Sequence, residues 1–244
     1  MQIAGIQKMT LVDFPGHVAA TIFTRGCSFH CGFCHNPELV IPDQFIDLLD
    51  NQQLFDFLKK RYGKLSGVCI TGGEPCMQPD IGEFITHMKA LGFDVKLDTN
   101  GSFPDRLEKI LQDGDVDYIA MDVKTALDKY PEVVFSQGSG VRGQTNELQT
   151  PNSKLQTDIK RSIKLIMDSG VDYEFRTTVC HPLHEVSDFK KIGEMIKSAK
   201  KYYLQNYVHT KQINDRDIYT PFTDEELEAA KKIMTNYVQK AEIR

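Results

Sequence analysis

The stretch Val18-Ala19-Ala20-Thr21-Ile22-Phe23-Thr24-Arg25-Gly26-Cys27-Ser28-Phe29-His30-Cys31-Gly32-Phe33-Cys34-His35-Asn36-Pro37 sets the reading of everything around it. Val18 to Thr24 is short, apolar and rich in β-branched residues, bounded by Pro15-Gly16 and by Gly26, and predicts a strand. The loop after that strand carries Cys27, Cys31 and Cys34 at C-x3-C-x2-C spacing. Three thiolates so near in sequence can grip one metal centre, and soft sulfur ligands favour iron–sulfur clusters or zinc. A fourth coordination position is then left open.

Outward from this loop, strand and helix alternate. Helices are expected at 44–60, 81–91, 106–111, 155–169, 188–200 and 223–239, the last opened by the capping signal Thr223-Asp224-Glu225-Glu226. Strands are expected at 67–71, 94–98, 118–123, 172–179 and 202–208. Six such units predict an α/β chain with a parallel sheet and right-handed crossovers, either open and doubly wound or curled into a partial barrel. In both, ligands bind at the carboxyl ends of the strands. The cysteine loop, Gly72-Gly73-Glu74-Pro75, Asp98-Thr99-Asn100-Gly101 and Asp122-Val123-Lys124 all follow strands, so they are expected to converge on one site. Residues 125–154 interrupt the pattern with a polar run lacking periodicity; this reads as a lid or partner-contacting insertion, or equally as a plain surface excursion.

At 244 residues one domain is expected, with its core over about 13–208 and residues 209–244 as a C-terminal extension bearing a helix. The 29 basic and 34 acidic residues are interspersed, for a net charge of −5, and form no basic stripe to follow a phosphate backbone; nucleic acid is excluded as main partner. Met1 to Gln7 shows no basic or apolar leader pattern, and no run of about 18 apolar residues occurs, so no membrane association and a cytoplasmic location are expected. Six cysteines are too few for a disulfide scaffold. Cys69 and Cys180 read as small buried hydrophobes, whereas Cys76 follows the glycine turn and is ambiguous.

Other chemistries fit parts of the motif. A Cys3His zinc site would recruit His35, but Cys34 and His35 are adjacent and reach one tetrahedral ion with difficulty. Cys31-Gly32-Phe33-Cys34-His35 matches C-x-x-C-H haem attachment, to which a third cysteine and the lack of an export signal are foreign. Unrelated core cysteines are a further reading. Gly72 and Gly73 let a ligand's polar head approach backbone, with the Glu74 carboxylate at hand for an ammonium, although a plain tight turn explains them too. Asp98, Asp122 and Lys124 are surface charges if taken singly; their shared sheet edge argues for a site.

The run from Ile22 to Pro37, followed in order by Gly-Gly-Glu-Pro, Asp-Thr-Asn-Gly and Asp-Val-Lys, resembles the radical S-adenosylmethionine (radical SAM) enzymes. Among these it is similar to the glycyl-radical-enzyme activases, typified by pyruvate formate-lyase activating enzyme. The opening Gly5 to Gly16 and Tyr203-Leu204-Gln205 look most like the longer form of anaerobic ribonucleoside-triphosphate reductase activating protein. The resemblance implies a partial (β/α)6 TIM-like barrel and a [4Fe-4S] cluster on Cys27, Cys31 and Cys34. It also implies S-adenosyl-L-methionine on the open iron, Phe33 and His35 beside the nucleoside, and Gly72, Gly73 and Glu74 receiving the methionine ammonium. Val123, Lys124 and Thr125 would line the cofactor's far side. Asp98, Thr99 and Asp122 match positions that hold a monovalent cation in the better-known relative. The implied activity is reductive cleavage of S-adenosylmethionine and formation of a glycyl radical on a partner, anaerobic ribonucleotide reductase, with a flavodoxin- or ferredoxin-type electron donor. Rival activities are a small-molecule radical reaction of the 7-carboxy-7-deazaguanine synthase kind and plain electron transfer through iron–sulfur or haem. Two departures from the family are visible: Phe33 stands where a tyrosine is common, and Gln205, Asn206, Tyr207 and His209 compete for a ribose-contacting place. The chain also lacks the eight extra cysteines of activases with a ferredoxin-like insert.

Overall fold

A computed structural model describes residues 1–135, 152–209 and 218–244. Its centre is one eight-stranded sheet in the order β1-β2-β3-β4-β5-β6-β7-β8. These are β1 (Ile3–Thr10), β2 (Ala19–Thr24), β3 (Gly67–Gly72), β4 (Asp94–Thr99), β5 (Tyr118–Asp122), β6 (Asp172–Val179), β7 (Tyr202–Asn206) and β8 (Ala241–Ile243). β1 is antiparallel to β2, and β2 through β8 are parallel throughout. Strand order follows chain order without reversal, which is the winding of a barrel wall; a doubly wound sheet reverses at a switch point. β1 and β8 do not pair with each other, so the barrel is partial.

The crossovers carry α1 (Pro37–Val40), α2 (Asn51–Arg61), α3 (Ile81–Ala90), α4 (Pro104–Asp113), α5 (Tyr130–Val134), α6 (Asn152–Asp168), α7 (Asp188–Met195) and α8 (Asp224–Met234). Alternation along the strands explains the layering. Val68, Ile70, Val95, Leu97, Ile119, Met121, Tyr173, Phe175 and Leu204 join the apolar core shared with the helices. The intervening residues on β3, β4, β5 and β6, among them Cys69, Lys96, Asp98, Tyr118, Asp122, Glu174 and Arg176, point to the other, concave face. That face is polar. At the amino-terminal end of the strands the Glu174 carboxylate accepts from Tyr118 Oη at 2.9 Å and from Arg244 at 2.8 and 3.0 Å.

Several boundaries differ from expectation. Helix was expected from 44, but only Pro42–Gln44 form a 3-10 turn and α2 begins at Asn51, where Asp50 caps by accepting from Gln52 N at 2.9 Å. Between them the chain runs alongside β1, with Leu49 N donating to Ile3 O at 2.7 Å, and Arg25 covers the Phe45 ring. The expected helix 188–200 ends at Met195, and Ser198 adopts a φ of 72° as the chain turns toward β7. α8 keeps its predicted capping box between Thr223 and Glu226. β1 and β8 were not expected; both are edge strands. The expected structureless run 125–154 begins instead with a 3-10 turn, Leu127–Lys129, and α5, whose Tyr130, Val133 and Val134 are buried; residues 136–151 of it lie outside the described residues. Among the described residues no helix is long and apolar enough to cross a membrane.

Candidate functional site

The cysteine loop leaves β2 through Arg25 and Gly26, the latter at a φ of +97° that glycine adopts freely. Gly26 N donates to Leu39 O at 2.7 Å and His30 N to Val134 O at 2.8 Å, which ties the loop to α1 and α5. Gly73 N donates to Thr24 O at 2.9 Å and Glu74 N to Gly26 O at 2.8 Å, so the turn after β3 lies directly on the cysteine loop. The contact needs glycine: a Cβ on Gly73 would come 2.1 Å from Gly26 O, and one on Gly72, at φ +117°, 2.3 Å from Thr24 N.

One cleft of about 220 Å³ at the carboxyl ends of the strands is lined by Cys27, Cys31, Phe33, Cys34, His35, Gly72, Gly73, Glu74, Asp98, Asp122 and Lys124. The structure thus brings together these eleven residues picked from sequence, and Thr99 with them. Val123 and Thr125 are the exceptions. Both side chains are fully buried and absent from the cleft wall, because alternation along the β5 edge turns them away from Lys124. Glu74 lines the cleft and also has a structural engagement of its own. Its carboxylate is fully buried and accepts from Thr99 Oγ1 at 2.8 Å, Asn100 N at 2.6 Å and Cys76 N at 2.9 Å. It fastens the end of β4 to the turn after β3, and burial raises its pKa to about 7 against those hydrogen bonds. Neither Gln205, Asn206, Tyr207 nor His209 lines the cleft, and Asn206 is engaged with the Phe222 backbone.

Sequence reasoning placed Asn100 in a site loop without giving it a role, and missed Arg176 and His184. Asn100 Nδ2 lies 3.6 Å from Cys27 Sγ and donates to Ser28 Oγ at 3.3 Å, while Phe29 N reaches the same sulfur at 3.4 Å. Arg176, on β6, bridges Asp122 Oδ1 through Nε at 2.6 Å and Asp98 Oδ2 through a terminal nitrogen at 3.0 Å. His184 is fully buried, and burial holds its pKa below the usual histidine value. The neutral ring donates from Nε2 to Lys124 O at 2.8 Å, while Nδ1 faces Cys180 N at 3.2 Å, and so pins the Lys124 backbone. Arg176 and Glu174 share one face of β6 with its apolar residues on the other, a pattern that an exposed face would show equally.

Burial pushes all three loop thiols up, Cys31 to about 12, and beside Cys31 and Cys34 the Lys124 ammonium counteracts this. Lys124 itself donates to Asp122 Oδ2 at 2.9 Å. Among the described residues no three His, Cys, Asp or Glu side chains gather in single-ion geometry. A Cys3His zinc site requires such a gathering, whereas a cubane spreads three thiolates over three irons. Three thiols in one cleft, N–H donors on the Cys27 sulfur and a lysine beside the other two fit an anionic iron–sulfur cluster. A larger cavity of about 960 Å³ touches Cys27 from the other side, among Phe29, Met77, Ile81, Phe103 and Arg106; it meets only that one cysteine and none of the strand-end charges.

Residues 21–199 match the family model described as the radical SAM superfamily. A protein of Methanocaldococcus jannaschii with the provisional name glycyl-radical enzyme activating enzyme is 28% identical over 244 residues, covering 99% of this chain and 95% of its own. The pyruvate formate-lyase-activating enzyme of Clostridium pasteurianum is 31% identical over 152 residues, 58% of this chain and 59% of its own. In fold, the chain is similar to Streptococcus suis SuiB bound to S-adenosylmethionine, with a TM-score of 0.63 at 15% identity over 88% of this chain and 48% of that one. With the cysteine loop inside the matched region and the barrel built as that fold requires, the chain belongs to the radical SAM superfamily.

Proposed function

We propose that this chain is an activating enzyme that cleaves S-adenosylmethionine reductively and generates a glycyl radical on a partner enzyme, anaerobic ribonucleoside-triphosphate reductase. The observation that carries the reading is the convergence of Cys27, Cys31 and Cys34 with the Gly72-Gly73 turn and Lys124 in one cleft. The provisional name of the M. jannaschii relative and the activity of the C. pasteurianum one support the choice of a protein substrate.

The chemistry a [4Fe-4S] cluster supplies when bound here is one-electron reduction of the sulfonium, breaking its C5′–S bond to give methionine and a 5′-deoxyadenosyl radical that takes a glycine Cα hydrogen. Cys27, Cys31 and Cys34 would hold three of its irons. Because burial keeps these thiols protonated, loading must release their protons, and uptake should be favoured at higher pH. Asn100 and Phe29 N–H direct positive dipoles at the Cys27 sulfur, which would favour the more negative, reduced state of a cluster held there. Gly72 and Gly73 bring backbone to the cleft for the methionine ammonium, and Lys124 offers positive charge to its carboxylate. Phe33 and His35 give flat surfaces for the nucleoside; Phe33 is held edge-on by His184 and Tyr219, and His35 lies 5.8 Å from the Tyr207 ring. No side chain is asked to move a proton; the chain orients reactants and excludes water. A flavodoxin- or ferredoxin-type protein is the proposed electron donor.

The test is anaerobic reconstitution with iron and sulfide, then reduction with S-adenosylmethionine and the candidate reductase. We expect 5′-deoxyadenosine and a glycyl radical doublet in the electron paramagnetic resonance spectrum, both lost in Cys31→Ser. Absence of 5′-deoxyadenosine from the loaded protein would sink the enzyme reading. 5′-Deoxyadenosine without a doublet would sink the partner alone.

A further inference from the structure

The resemblance implies a free monovalent cation at Asp98, Thr99 and Asp122, and the residues present do not fit one. Asp98 Oδ1 accepts from Lys96 Nζ at 2.5 Å, and its Oδ2 accepts from Arg176 at 3.0 Å. Asp122 gives one oxygen to Arg176 and the other to Lys124, at 2.6 and 2.9 Å. Thr99 Oγ1 donates to Glu74 and accepts from Gly101 N at 3.1 Å. Each of the three implied ligands is therefore already engaged. Three cationic groups share two carboxylates, and the excess positive charge repels any further cation in a site where screening is weak.

Lys96 is the unusual member. It lies two residues before Asp98 on β4, so both side chains leave the same face of the sheet, and it is only 2% exposed. Its ammonium is held between Asp98 and Cys69 Sγ, the latter at 3.6 Å. Burial opposes its charge, but Asp98 and Cys69 outweigh that and keep it protonated. Lysines are almost never so buried unless paired.

We propose that the Lys96 ammonium, on the Asp98 oxygen that Arg176 leaves, is a tethered replacement for the free monovalent cation at that carboxylate, which is complete without one. The proposal extends the reading above, on which only its cofactor-affinity arm rests. The protein should then be indifferent to the identity of monovalent ions. Shortening Lys96 should free Asp98 Oδ1 and leave, between it and Cys69 Sγ, the space of the lost ammonium for potassium to enter.

The apoprotein is unfolded thermally in potassium, sodium or choline chloride at equal ionic strength, as wild type, Lys96→Ala and Lys96→Met, with ²³Na relaxation as a direct binding readout. Wild type should unfold within about 1 °C across the salts and leave the sodium signal sharp. Lys96→Ala should gain roughly 5–10 °C in potassium over choline when the ion is present at about a hundred times its dissociation constant. Lys96→Met fills the same volume without charge and should not respond. Specific stabilisation of the wild type by potassium or sodium overturns the proposal, as does a folded Lys96→Ala that ignores both. Should both variants fail to fold, the wild-type comparison still decides. In the cluster-loaded wild type, S-adenosylmethionine affinity should be equal in potassium and choline. No binding in either salt contradicts the proposed function and leaves the apoprotein result standing.

Discussion

Gly73→Ala should detach the turn after β3 from the cysteine loop. A Cβ there would sit 2.1 Å from Gly26 O and 2.7 Å from Gly26 C, both backbone atoms that cannot swing aside. Relief requires the turn to withdraw by more than an ångström before contact becomes ordinary, which breaks the 2.8 Å hydrogen bond from Glu74 N to Gly26 O. Overpacking of this kind costs about 1–3 kcal/mol and the lost hydrogen bond about 0.5–1.5 kcal/mol, together roughly 2–4 kcal/mol. For a chain of this length that lowers Tm by roughly 5–15 °C. Gly5→Ala is the control, because nothing lies within 4 Å of its Cβ position, and alanine in a strand should be neutral or slightly stabilising. Differential scanning calorimetry of the apoprotein reads the stability, and iron bound per chain after anaerobic reconstitution reads the loop. Gly73→Ala with the Tm and iron uptake of Gly5→Ala would refute the reasoning.

Glu74→Ala should strand three buried donors, on Thr99, Asn100 and Cys76, at about 1–3 kcal/mol each, and reduce the urea midpoint more than any single surface carboxylate does. Arg176→Met should leave Asp98 and Asp122 without their shared guanidinium but each with a lysine, and cost about 1.5–3 kcal/mol for the lost charge-assisted hydrogen bonds. Arg176→Lys should recover only part of this, since one ammonium cannot bridge both carboxylates, and full recovery in urea unfolding would argue against the bridge. His184 has a pKa lowered from the usual 6.5, so the unfolded chain binds more protons as pH falls below 6.5. Stability from its neutral form is fully present above that pH and lost below it. Urea midpoints measured from pH 8 to 5.5 should therefore fall, and less steeply in His184→Asn; His30 and His35, lowered by burial in the same direction, keep part of the slope.

Much of the barrel was legible because its outer face obeys a simple rule. β6 was expected at its observed bounds, Asp172–Val179, and the cysteine loop, the Gly-Gly turn and the strand-end carboxylates were read onto one sheet edge, where the structure has them. β1 escaped because its residues beyond Ile6 are exposed until Thr10, so no continuous alternation marks it, and β8 because three residues carry too little pattern. The loss of helix over 45–50 follows from tertiary contact with β1, which overrides an apolar spacing that would suit a helix. The concave face was harder for a different reason. Val95-Lys96-Leu97-Asp98 has the same period of two whether its polar side meets water or the inside of a curled sheet. Only closure decides. Once β4, β5 and β6 curl together, charges that read singly as surface residues become mutual partners with little water between them: Lys96 with Asp98, Asp98 with Arg176, Arg176 with Asp122, Asp122 with Lys124. A chain of alternating charge that begins and ends on a lysine has one more cation than anion, and Lys124, at the cleft end, faces Cys31 and Cys34. On the proposed function, the surplus charge would lie where anionic sulfur ligands are needed, which ties the least legible part of the barrel to its most legible motif.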